Sequence, residues 1–108
     1  MEKYTCPCCG YVVFTEKPGS HQVCPVCKWE DDVSQLKFVT ALGANFKSLL
    51  QAQNDCVVDE SNNDLYKKDE SWRKIDKSID HIIEPIDGHD YGSEYSNDLT
   101  ELYYWKIE

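Results

Sequence analysis

The sequence predicts a small α+β fold, in which an N-terminal zinc-ribbon hairpin packs with one or two helices and a C-terminal β-strand. Three observations predict it. Five of the six cysteines fall within the first 27 residues, in two Cys-Pro-x-Cys loops. Helical signals appear only further on, at a Ser48–Gln51 capping pair and in an isoleucine stripe between 70 and 84. The chain then closes on an aromatic and β-branched run, Leu102-Tyr103-Tyr104-Trp105-Lys106-Ile107.

The first element is the pair of cysteine loops. Cys6-Pro7-Cys8-Cys9-Gly10 and Cys24-Pro25-Val26-Cys27-Lys28 are two copies of one pattern, with fourteen residues between Cys9 and Cys24. Such a loop turns so that two thiolates face one point, and Gly10 can take the left-handed conformation that closes it. Two loops can then supply four thiolates, from Cys6, Cys9, Cys24 and Cys27, to one structural Zn2+ per chain. Paired loops of this kind are usually separated by about 15–20 residues, so the spacing here asks for a tight hairpin. Tyr11-Val12-Val13-Phe14-Thr15 is a strand by composition. Pro18-Gly19 marks the turn and His21-Gln22-Val23 begins the return strand. Two strands alone are marginal in water, and metal binding compensates for the small core.

Two cysteines are out of register. Cys8 either packs as a small residue or trades places with a neighbour as an alternative ligand. Cys56 reads as a buried thiol outside the ribbon. His21 is a substitute ligand or a solvated residue at the hairpin tip. A redox reading of the Cys-x-x-Cys pairs is weaker, because redox motifs open a helix inside a βαβ unit and here a strand comes after the first loop.

Cys6-Pro7-Cys8-Cys9-Gly10-Tyr11, Pro18-Gly19-Ser20, the run from Cys24 to Asp32, Gly43-Ala44-Asn45 and Ser48-Leu49 with Ala52 and Asn54 form a recognisable set. Together they resemble the bacterial cysteine-rich CPCC family, over about residues 4–56. The resemblance implies a zinc-ribbon-like domain found among proteins that guard bacteria against polymorphic toxins. It brings no settled chemistry.

Trp29-Glu30-Asp31-Asp32 is a cation site or an acidic patch on one reading. On the other, Trp29 covers the cysteine loops and Asp31 or Asp32 caps the next element. Gln35 to Val39 is of undecided type. Ser48 and Gln51 fit a capping box, opening a helix from Leu49 to about Cys56 with Phe46 stapled against its first turn. Residues 59–69 read as a polar loop. Trp72, Ile75, Ile79, Ile82 and Ile83 recur at helical spacing and predict a second helix over 70–84, ended by Pro85. The closing strand places Tyr103, Trp105 and Ile107 on one face. The whole reads as one domain, 1–108: a ribbon module at 1–32, a helix-containing segment at 33–58, the loop at 59–69, and a helix plus strand at 70–108.

Charge narrows the function. The net charge is −9 at pH 7. Residues 1–77 hold ten basic and twelve acidic side chains, whereas 78–108 hold Lys106 against eight acids, a net −7. That segment repels nucleic-acid phosphates and anionic membranes and steers a basic partner inward. Asp87, Asp90, Tyr91, Glu94, Tyr95 and Asp98 interleave rings with carboxylates and are the candidate partner-binding residues. No apolar run approaches the roughly 18 residues of a membrane span, and the chain reads as cytoplasmic. Three functions are separable on these grounds: an immunity protein that neutralises a basic, nuclease-type toxin; a nucleic-acid-binding or regulatory zinc ribbon, for which a basic patch is missing; and a redox or hydrolytic enzyme, for which no motif converges. The first is the expectation, with no catalytic residues.

Overall fold

The computed structural model describes residues 3–56, 66–80, 82–84 and 99–106. Within them the fold is α+β. Strands β1 (Tyr4–Thr5) and β2 (Val12–Phe14) form an antiparallel pair, and helices α1 (Val33–Lys37) and α2 (Leu49–Asp55) come after it. Two short 3₁₀ helices, Leu99–Leu102 and Tyr104–Lys106, lie near the end of the chain.

The ladder does not run where the spacing suggests. The Pro-Gly turn predicts that β2 pairs with His21–Val23; instead it pairs with β1 across the first cysteine loop, Tyr4 with Phe14 and Thr5 with Val12. The second loop does the same, and Val23 bridges Glu30. The cause is the closure of each loop on its own flanks. Cys6 N–H donates to Tyr11 O at 2.9 Å and Gly10 N–H to Cys6 O at 2.8 Å; Cys24 N–H donates to Trp29 O at 2.8 Å and Lys28 N–H to Cys24 O at 2.9 Å. The residue after the last cysteine of each loop has positive φ, Gly10 at 82° and Lys28 at 72°. Left-handed geometry is easy for glycine and costs about 1–2 kcal/mol for a side chain such as Lys28. The β2 end and the return segment are joined through a side chain: Gln22 Oε1 accepts from the N–H of Thr15 (3.0 Å) and Glu16 (3.3 Å).

Both short helices are set by caps. Asp32 Oδ1 accepts from Ser34 N–H at 2.9 Å and opens α1, which resolves the undecided stretch. Ser48 Oγ accepts from Gln51 N–H at 3.1 Å and opens α2, as its sequence pattern requires. Phe46 is not stapled against that first turn; it is 99% exposed.

The described part of 70–84 is not a helix. Asp69 and Asp76 each accept from the backbone N–H and hydroxyl of the serine two residues on, Ser71 and Ser78. Arg73 then forks onto the Asp80 carboxylate with both contacts at 2.7 Å. These local bonds offer the backbone turns in place of a helical ladder. Trp72, Ile75 and Ile82 still pack on the core, while Ile79 is exposed. Nor is the described part of the C-terminal run, 102–106, a strand. Its alternation survives, with Tyr103 and Trp105 buried and their rings stacked at 4.4 Å. The backbone forms 3₁₀ turns, Tyr103 N–H to Thr100 O and Lys106 N–H to Tyr103 O. The segment that does join β2 is 67–69: Val12 N–H donates to Lys67 O, and Tyr11 bridges Lys68.

The core gathers the cysteines, Phe14, Trp29, Leu36, Leu49, Tyr103 and Trp105. Gln53, 1% exposed, ties its parts together. Its Nε2 donates to Pro7 O and to Tyr104 Oη, both at 2.8 Å, and its Oε1 accepts from Ile75 N–H at 2.9 Å.

Candidate metal centre

The two knuckles place four sulfurs together. Those of Cys6, Cys9, Cys24 and Cys27 lie within 4.8 Å of one another. The Cys6–Cys27 and Cys9–Cys24 pairs, one sulfur from each knuckle, are both 3.7 Å apart. A tetrahedron with metal–sulfur bonds of about 2.3 Å has edges of about 3.8 Å, whereas a disulfide needs about 2.05 Å. The spacing therefore fits a central cation and not a bridge. Val26 N–H points at Cys24 Sγ (3.3 Å), the backbone contact that stabilises a thiolate in such a loop.

Electrostatics agree with the geometry. Burial pushes the Cys6 thiol well up, and the neighbouring Cys24 sulfur does the same for Cys9. The Cys27 thiol is driven down, because Cys24, then Cys6, Cys8 and Cys9, hydrogen-bond to its sulfur. Four such groups cannot all ionise side by side without a cation. A bound metal removes that conflict, and its uptake releases protons. The four cysteines could thus hold one metal ion.

The structure also disposes the other candidates. Cys8 is buried at 4% exposure and lies outside the four-sulfur group, but within 4.8 Å of Cys27 and Cys56. Cys56, in sequence a buried thiol outside the ribbon, is instead half-buried, and α2 ends where it brings Cys56 back to the cysteine loops. His21 is exposed but not at a hairpin tip: its N–H donates to Asp31 O at 3.0 Å at the base of the second loop, and its Nδ1 is 3.1 Å from Glu30 Oε2. Asp87, Asp90, Tyr91, Glu94, Tyr95 and Asp98 lie outside the described residues.

The Trp29–Asp32 run serves the scaffold. Asp32 caps α1, and its Oδ2 accepts from Ala44 N–H at 2.9 Å. Asn45 holds Glu30 at both ends: its Nδ2 donates to Glu30 O and its Oδ1 accepts from Glu30 N–H. Fully buried Gln35 completes the clamp, accepting from Asn45 N–H and donating to Ala41 O and Lys47 O. A Cβ on Gly43 would stand 2.5 Å from Asp32 Oδ2, so glycine is what lets this loop close on the second knuckle.

Asp31 is the exception in sign. Buried at 3% exposure and accepting from Ser20 Oγ at 3.1 Å, its carboxyl is pushed up to about 6, chiefly by burial. The fold therefore prefers the protonated form. Its contribution is fully present below the ordinary pKa of 3.8 and is lost as pH rises through about 6. Asp31→Asn should match the native chain near pH 4 and exceed it above pH 7 by about 2 kcal/mol. Urea unfolding of both proteins at matched pH checks this, since the metal contribution cancels in the difference. Equal stability throughout would contradict it.

Two knuckles converging on one group of four sulfurs define a small cysteine-rich domain whose four cysteines could hold a metal ion. The chain belongs to the cysteine-rich CPCC family, whose profile matches residues 4–58. The match takes in both knuckles, the Asp32–Asn45 clamp and the two helices. No curated protein matches the chain. Among the described residues no helix is long and apolar enough to cross a membrane.

Proposed function

We propose that this chain is a zinc-stabilised protein-binding domain that captures and neutralises a basic protein toxin, and that it performs no chemistry of its own. One observation carries the zinc reading: four thiols, three buried and one half-buried, at tetrahedral spacing. All four positions are filled by sulfur, and a closed set of four is what structural zinc uses, whereas catalytic zinc keeps a position for water. Zinc there would fix two knuckles whose own pairing, among the described residues, is one two-stranded ladder and the Val23–Glu30 bridge.

The partner reading is supported by charge. A net −7 in residues 78–108 offers complementarity to a basic surface, which raises on-rate and selects partners. The family resemblance suggests the kind of partner, a toxin whose active site is to be blocked.

The test is capture from lysate of the chain's own host on the immobilised, zinc-loaded protein, eluted with rising salt. The expected result is one basic protein, bound one to one, released by salt, and inactive as a toxin until released. Capture of nucleic acid, or of no protein at any salt, would overturn the reading. So would a partner whose toxicity is unchanged by binding.

A further inference from the structure

The six cysteines do not divide into four ligands and two bystanders. The sulfurs of Cys8, Cys27 and Cys56 lie within 4.8 Å of one another, and Cys27 also belongs to the four-sulfur group. Separate elements deliver them. Cys8 sits in the middle of the first knuckle, beside Pro7, whose carbonyl is held by Gln53 Nε2 (2.8 Å) and Trp72 Nε1 (3.1 Å). Cys27 ends the second knuckle, and Cys56 is the residue on which α2 stops.

All three line a cleft of about 480 Å³. Cys27 and Cys56 are half-buried, so the group is reached from outside, unlike Cys6 and Cys24, which are 0% exposed. Among the described residues the group contains no imidazole or carboxylate. Asp55 lines the same cleft, but its carboxylate is engaged by Lys47 Nζ at 2.9 Å and Gln51 Nε2 at 3.0 Å. A donor set of three sulfurs with no oxygen selects a soft cation that accepts low coordination, and among first-row ions that is copper(I). In a trigonal plane with bonds of about 2.3 Å the sulfurs would stand about 4 Å apart, within reach of the observed spacing.

We propose that Cys8, Cys27 and Cys56 form a second, cleft-facing site for a soft monovalent cation of the copper(I) class, with the Cys27 sulfur bridging to the metal of the four-cysteine centre. The bridge rests on the zinc reading of that centre. Binding is balanced without a redox step: one cation enters, the Cys8 and Cys56 thiols each release a proton to solvent, and Cys27 is already a thiolate on zinc.

The experiment uses the full zinc-loaded chain, titrated anaerobically with copper(I) as its acetonitrile complex and then passed over a competing copper chelator, with zinc and copper counted separately. One retained copper per chain with zinc still at one is expected. Cys8→Ser and Cys56→Ser should each lose at least nine-tenths of the retained copper while keeping their zinc and their folded-state spectra. Copper that enters only as zinc leaves would overturn the second site, as would native-level retention by the two variants. A chain that carries no zinc before titration counts against the four-cysteine reading instead, so the two failures are distinct. With cobalt(II) in the four-cysteine centre, copper uptake should shift the thiolate-to-cobalt absorption; an unchanged spectrum would overturn the bridge.

Discussion

Cys9→Ser should release the metal and unfold the N-terminal half of the chain. Cys9 is 3% exposed, and its sulfur stands 3.7 Å from that of Cys24, across the two knuckles. A serine hydroxyl is not ionised at neutral pH, so three sulfurs would remain to hold the cation. Structural zinc sites bind with about 10–16 kcal/mol, and that binding energy is folding energy. The elements that meet at the four cysteines are short: a strand pair of two and three residues, and helices of five and seven. Isolated helices shorter than about 12–15 residues are marginal in water. The variant should carry less than a tenth of the native metal and show no cooperative thermal transition by circular dichroism. Cys56→Ser, which leaves the four sulfurs intact, should keep both metal and transition. A Cys9→Ser protein that melts like the native one would sink the four-thiolate assignment.

Gln53→Leu should cost about 2–5 kcal/mol of stability. The substitution keeps the volume and removes every polar atom of a side chain that is 1% exposed. It leaves Ile75 N–H without its acceptor and Pro7 O with Trp72 Nε1 alone. Tyr104 Oη loses its donor too, although it still donates to Arg73 O. These partners sit on the first knuckle, on the 73–75 segment and on the last 3₁₀ helix, so one side chain couples three distant stretches of chain. Breaking a shared network of this kind costs more than the pairwise bonds suggest. Urea unfolding of the metal-loaded protein measures it, and a change below about 1 kcal/mol would mean that the core does not depend on this hub.

The features legible in the sequence are those that residues decide locally. The repeated Cys-Pro-x-Cys pattern marks both knuckles, and positive φ falls on the same position of each, Gly10 and Lys28. Ser48 and Gln51 open α2, and of the two cap candidates Asp31 and Asp32 it is Asp32 that opens a helix, α1, which the sequence leaves of undecided type. The features that escape a sequence reading depend on partners far away in the chain. Strand composition at Val12–Phe14 says nothing of its partner, which is fixed by closure of the cysteine loop onto β1. The isoleucine stripe of 70–84 has a helix's spacing, but the Asp-x-Ser pairs at 69–71 and 76–78 override it with side-chain bonds to backbone. Tyr103 and Trp105 alternate as in a strand, yet the described part of the sheet holds only two strands, with 67–69 against β2. Cys56 looks solitary in sequence, and only α2 carries it to Cys8 and Cys27. Gln35 and Gln53 have the look of ordinary helix surface, but their side chains are the buried fasteners of the fold.

The proposed function rests on four thiolates closing on one structural zinc. X-ray absorption at the zinc edge, on protein purified under reducing conditions, tests it most directly. One zinc per chain surrounded by four sulfurs at about 2.3 Å is the expected result. A nitrogen or oxygen atom bonded to that zinc, or a folded chain that carries no zinc, would contradict it.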